Sequence, residues 1–222
     1  MSLFPIAPRA EPPRGFSLVE LTVVMVILGL LLGGLLLPLA AQRDLTQRRA
    51  AESGLMEIRE ALLGYAALHD VLPCPDLEEN PDAATYGEAE SDCGSPAREG
   101  FVPFKTLGLT DAADPWGQRW RYRVDPNFID AIKLNTAADS QESRHLRIVN
   151  AAGKDLTAHS TEPAIVLFYS TGANVRADGE NAFFEATGGR YESNPPSETF
   201  DDQMLWLARP ALFARLIAAG KF

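Results

Sequence analysis

The sequence predicts an α+β fold: one long N-terminal helix, membrane-spanning in its first half, packed on a small, mostly antiparallel β-sheet. Three observations predict it. Leu21 to Ala41 is a run of 21 uncharged residues, roughly 31 Å long as a helix at ~1.5 Å per residue, which matches a hydrocarbon core of about 30 Å. Leu55, Ile58, Leu62 and Tyr65 then recur at the spacing of one helix face. Further on, Arg119-Trp120-Arg121-Tyr122-Arg123-Val124 alternates polar and apolar residues at period two, the pattern of a strand with Trp120, Tyr122 and Val124 turned inward.

The elements follow in order. Residues 1–15 are rich in Pro and Ala and show no periodicity. From Phe16 to about His69 the chain reads as one helix. Residues 16–41 are apolar all round, as a membrane span or a buried core requires, and 42–71 form an amphipathic continuation. Gly29 and Gly33 are spaced Gly-x-x-x-Gly, which suits close helix packing and equally reflects the frequency of glycine in transmembrane helices. Pro73 and Pro75 end the helix, because proline cannot continue it. Residues 77–100 are acidic and rich in Gly, Pro, Asn and Ser, hence a loop. Val102 to Leu109 is an ordered connector, and Asp114-Pro115-Trp116-Gly117 is a turn. Strands are expected at 119–124, 145–149 and 164–169, a small hairpin at Phe183-Phe184, loop from Gly188 to Glu198, and a short apolar run at 204–207. A last helix starts near Pro210 and closes at Gly220. The globular body thus runs from 72 to 222.

Charge and composition exclude several functions. The net charge is −10, spread as +2 over residues 1–50 and −12 over the rest. An acidic body does not bind nucleic acid by electrostatics. His69, His145 and His159 are scattered without the spacing of zinc ligands. Neither Cys74 nor Cys93 lies in a Cys-x-x-Cys pair. No nucleophile elbow, metalloprotease helix, P-loop or dinucleotide fingerprint is present, so no enzyme is expected. The carboxylates Glu78, Glu79, Asp82, Glu88 and Glu90 read as a solvated loop.

Glu20 is the feature these exclusions leave standing. A lone carboxylate at the front of a membrane-length apolar run is costly in lipid and calls for a functional reason. A secretory signal does not explain the run, because such h-regions span about 7–15 residues. The segment Arg14-Gly15-Phe16-Ser17-Leu18-Val19-Glu20 and the apolar helix after it resemble the N-terminus of type IV prepilins and type II secretion pseudopilins. The resemblance implies a pilin-like fold, cleavage between Gly15 and Phe16 by a prepilin peptidase, and methylation of the new Phe16 amine. It also implies pairing of Glu20 with the N-terminal ammonium of a neighbouring subunit. Arginines flank the span on both sides, so charge alone leaves its orientation open. The resemblance places the leader in the cytoplasm and the body in the periplasm, on a single-pass inner-membrane anchor. In that oxidising compartment the even pair Cys74 and Cys93 reads as a disulfide.

Two body segments extend the likeness. Asp114-Pro115-Trp116-Gly117 through Tyr122 resembles a segment of major pseudopilins, with Trp120 in place of a tyrosine. Phe168 to Gly179 resembles their Tyr-Ser-x-Gly-Ala-Asp-Gly loop, with Asn174 where Asp is expected. Major pseudopilins hold calcium there, so the resemblance implies a calcium site for which Asn174, Asp178, Asn181, Asp201 and Asp202 are the available side chains. No other cofactor is expected.

The function expected is that of a structural subunit, a minor or specialised one given the size of the body, in a type II secretion or type IV pilus filament. Its partners would be the prepilin peptidase, other pilin or pseudopilin subunits, the inner-membrane assembly platform and the membrane itself. The alternative from another class is a bitopic periplasmic binding or sensor module on an uncleaved anchor.

Overall fold

The computed structural model describes residues 15–93, 99–137, 146–157, 162–183 and 190–222, with the side chains of 32–41 left aside. The chain divides into two compact units, one ending at Leu45 and the other comprising Thr46–Phe222. Helix α1 is Leu18–His69. The strands are β1 Gly100–Phe101, β2 Arg121–Val124, β3 Arg147–Val149, β4 Ala164–Ser170, β5 Arg190–Glu192 and β6 Gln203–Ala208, and helix α2 is Arg209–Ala218. This is an α+β fold.

In the first unit, Ser17 starts α1. Its hydroxyl oxygen accepts from Val19 N at 3.3 Å, and its carbonyl accepts the first helical bond from Leu21 N at 3.1 Å, as an N-cap serine does. The large apolar side chains from Leu18 to Leu31 are all 47–81% exposed. Among the described residues no helix is both long and apolar enough to cross a membrane. The expected span at 16–41 lies partly outside them, since the side chains of 32–41 are not described.

In the second unit, β1, β2, β4 and β6 form an antiparallel sheet in that spatial order. Ala51, Leu55, Ile58, Leu62 and Ala66 of α1 are buried in one core with Tyr122, Val124, Val166 and Phe168 of the sheet. The apolar periodicity of 55–62 is the cause: one helix face must leave water, and the sheet offers the surface. On the sheet's other face Leu167 and Tyr169 pack with Leu146, Ile148 and Tyr191. All seven residues of β4 are therefore buried, and a strand covered on both faces reads as a continuous apolar run. The same double coverage buries Arg123 beside Tyr122 and Val124, which the simple in-out alternation of β2 does not anticipate.

Two expectations are corrected. The loop expected at 188–198 contains β5, which pairs with β3 in a separate two-stranded sheet, and that pairing is parallel: Ile148 faces Tyr191. Phe183 ends a 3-10 turn, Gly179–Phe183, rather than opening a hairpin; Phe184 lies outside the described residues. The short apolar run expected at 204–207 lies within the six-residue edge strand β6. The α1 terminus also has a cause upstream of Pro73. Asp70 adopts a left-handed backbone, φ 60°, and its N–H still reaches Ala66 O at 2.9 Å, the helix-ending conformation that Asp and Asn tolerate best after Gly.

Candidate functional site

Three sets of residues bear on function: the helix start, the loop closed by cysteines, and the acidic cluster at the ends of β4 and β6.

At the helix start, Phe16 is 86% exposed and nothing lies within 4 Å of where a side chain at Gly15 would project. Among the described residues nothing covers the 15–16 peptide bond. Ser17-Leu18-Val19-Glu20 has the spacing of a capping box, in which Glu20 would fold back onto the Ser17 N–H. Among the described residues the Glu20 carboxylate accepts no hydrogen bond and forms no ion pair. It remains available for a partner, and its place in the first turn suits the positive end of the helix.

Cys74 and Cys93 are joined in a disulfide, S–S 2.02 Å and Cα–Cα 5.1 Å, and both are buried. Around it the chain is tied by polar groups. The fully buried Asp76 carboxylate accepts from Glu78 N at 2.9 Å, from Gly87 N at 2.7 Å and from the Arg119 guanidinium. The loop that the composition marks as poor in apolar residues is held by a crosslink and a charged clamp instead of a core.

The third site gathers residues from two places in the chain. Asp178 follows β4, while Asp201 and Asp202 precede β6, and one carboxylate oxygen from each lies within 4.8 Å of the others. Backbone donors fix them: Asn174 N to Asp201 Oδ2 at 3.0 Å, Asp178 N to Asp202 Oδ2 at 2.9 Å, and Asp201 N to Asp178 Oδ2 at 2.8 Å. Of the five side chains expected here, the two asparagines take a different part. Asn174 Nδ2 donates to both oxygens of Asp178, at 2.9 and 3.0 Å, and Asn181 Nδ2 donates to Asp202 Oδ2 at 2.8 Å. Gly172, φ 66°, lets the loop approach Asp201, where a Cβ would meet the carboxylate at 2.5 Å. Asp202 is 3% exposed. Burial, reinforced by the charges of Asp178 and Asp201 against the bonds from Asn181 and Asp178, pushes its carboxyl up to about 7. Burial also raises Asp201. Asp201 Oδ1, Asp202 Oδ1 and the nearby Thr171 hydroxyl are buried without a hydrogen-bond partner among the described residues. Buried carboxylate oxygens without donors fit a hard cation, which takes oxygen ligands.

Sequence reasoning missed Thr171 and the buried Glu99. Glu99 accepts from Tyr191 OH at 2.8 Å and Tyr169 OH at 3.1 Å, so it joins the two sheets. Burial raises its carboxyl, opposed by the Tyr191 bond and by Arg121. Glu99 sits at the end of an acidic loop, and nothing in its neighbours distinguishes it from the solvated carboxylates before it.

Residues 13–36 match the family model for the prokaryotic N-terminal methylation motif. The chain carries the prepilin-type cleavage and methylation signal. The match covers Gly15, Phe16 and Glu20. No curated protein and no solved structure matches the chain.

Proposed function

We propose that this chain is a minor or specialised pseudopilin or pilin-like subunit of a type II secretion or type IV pilus filament. In this reading residues 1–15 are a leader removed in the cytoplasm. Residues 16–41 are an inner-membrane anchor that becomes filament core, 42–71 continue that helix, and 72–222 are the periplasmic body. The work is assembly rather than catalysis. One observation carries it: the methylation signal at 13–36 opens a helix whose large apolar side chains are exposed on every side from Leu18 to Leu31. Such a surface demands lipid or neighbouring helices, and Glu20 stands in it without a partner among the described residues. The Phe16 ammonium of an adjacent subunit supplies the matching charge.

Intact-mass analysis of the protein from its native membrane tests this. The expected mass lacks residues 1–15 and carries one added methyl group. An unprocessed N-terminus would return the chain to the bitopic binding or sensor reading.

The acidic cluster belongs to the same proposal as a calcium site. Asp178, Asp201 and Asp202 would hold the ion, with Asn174 and Asn181 orienting their carboxylates. Two partnerless buried carboxylate oxygens support it, and bound calcium would tie the loop after β4 to the start of β6.

A further inference from the structure

A groove of about 630 Å³ opens on the second unit beside α1. Its floor is apolar, with Ile58, Leu109, Pro115 and Trp120. It closes on one side because Gly54 lets the Trp120 indole lie against the helix, where a Cβ would meet the ring at 2.7 Å. Two exposed carboxylates, Glu57 and Asp111, also line it. Neither has an ion-pair or hydrogen-bond partner among the described residues.

The matching chemistry lies on the same helix one to two turns earlier. Arg49 is exposed and likewise has no side-chain partner among the described residues. An arginine offers an apolar stem for the floor and a guanidinium for carboxylates at the edge. We propose that the groove seats Arg49 of a second copy of this chain, its guanidinium meeting Glu57 and Asp111.

The spacing gives the arrangement. For parallel copies, bringing Arg49 of one level with Ser53 to Glu57 of the other requires a shift of four to eight residues, roughly 6–12 Å at ~1.5 Å per residue. The proposed pairing of Phe16 with Glu20 calls for a shift in the same sense. Arg49 and the groove are different patches, so the contact is head-to-tail and propagates into a filament instead of closing a dimer. Adjacent identical copies would also select a specialised, repeated subunit over a sparse minor one. The inference rests on the filament reading, and its test separates the two.

The full chain is expressed in its native membrane as two tagged copies, one Glu52→Cys, a turn from Arg49, and one Ala112→Cys, beside Asp111 in the groove lining, so that the proposed charges stay in place. The native cysteines are already paired with each other. A short bismaleimide should link the two copies, whereas Lys154→Cys, an exposed position outside the groove, should give no link to Glu52→Cys. Arg49→Glu alone, or Glu57→Arg with Asp111→Arg, should lower self-association about tenfold or more, and all three together should restore it. These side chains are exposed and unpartnered, so each variant folds. Processed, methylated protein with no 52–112 link, with links only to other subunits, or with one-sided reversals that associate like wild type overturns the docking and leaves the filament reading standing. An unprocessed N-terminus overturns both.

Discussion

Arg119 reaches across 43 residues of sequence to pair with the fully buried carboxylate of Asp76. The guanidinium lies 3.9 Å from the Phe101 ring centroid and 4.4 Å from that of Tyr86, and its Nη1 donates to Glu78 O at 2.7 Å. One side chain thus binds the acidic loop to the sheet by ion pair, ring faces and backbone. Arg119→Ala leaves Asp76 charged, fully buried and short of a partner, which costs about 3–5 kcal/mol. Denaturant unfolding of the full chain should show that loss. Arg176→Ala, at an exposed loop position, should change stability by less than about 0.5 kcal/mol. A near-neutral Arg119→Ala would mean that Asp76 is carried by its backbone donors alone.

The Cys74–Cys93 crosslink spans 19 residues, and chain entropy assigns such a loop about 3 kcal/mol. In a chain of this size that corresponds to a fall in Tm of roughly 6–12 °C on reduction. The Asp76 clamp remains after reduction, so the body stays folded at ambient temperature. Calorimetry with and without reductant measures the shift. Two thiols open to alkylation in unreduced, denatured protein would remove the basis for the prediction.

These two devices mark the limit of what the sequence discloses. The apolar repeat Leu55, Ile58, Leu62 locates the buried face of α1, because a helix face is a local property. The run at 164–169 announces β4, because a strand covered on both sides is apolar throughout. β5 is not legible. Arg190-Tyr191-Glu192 is three residues long, follows glycines, and earns its place only by pairing with β3, distant in the chain. The same holds for the Arg119–Asp76 pair and for Glu99 between Tyr169 and Tyr191: a buried charge is identified by its partner, and the partner is chosen by the fold. At the acidic cluster the residue types were readable, but their division was not. The three aspartates converge, while the two asparagines donate to them.

Gly54 faces the Trp120 indole, with 2.7 Å from its projected Cβ to the ring. Gly54→Ala gains about 1 kcal/mol of helix propensity and loses about 1–3 kcal/mol to overpacking against a buried ring that has little room to yield. The net expectation is a destabilisation of about 1 kcal/mol, read from the urea midpoint at constant m. Gly64→Ala is the control, since nothing lies within 4 Å of its projected Cβ. It should stabilise. If both variants stabilise alike, the indole is mobile and the groove wall is not set by Gly54.

Glu20 distinguishes assembly from anchoring. On the filament reading, Glu20→Ala removes the one charge of the apolar segment, worth about 3 kcal/mol in insertion, so membrane insertion should be easier rather than harder. Incorporation into the filament should fall about tenfold or more, because the charge that meets the neighbouring ammonium is gone. Crosslinking to neighbouring subunits in the native membrane reads the second effect, and carbonate extraction reads the first. Wild-type crosslinking in Glu20→Ala would assign the residue to the helix start alone.

The acidic cluster predicts how stability depends on pH and on calcium. Burial and its acidic neighbours raise the Asp202 carboxyl to about 7 in the folded chain, from an ordinary 3.8. Between these values the unfolded chain has released the proton and the folded chain still holds it. Fewer protons are bound on unfolding, so stability falls as pH rises from about 4 to about 7. The cost is on the order of a few kcal/mol, with Asp201 adding in the same direction. Calcium binds the ionised form and should offset this cost above pH 7, by about 2.7 kcal/mol at a hundredfold excess over Kd. Thermal scans of chelated protein across this range, repeated with added calcium, check both halves. Asp202→Asn keeps an oxygen for the Asn181 and Asp178 donors, so it should fold, flatten the pH dependence and abolish the calcium shift. A Tm indifferent to calcium at pH 8, with a flat calorimetric titration, would show that the three aspartates hold the loop through their backbone bonds and bind no ion.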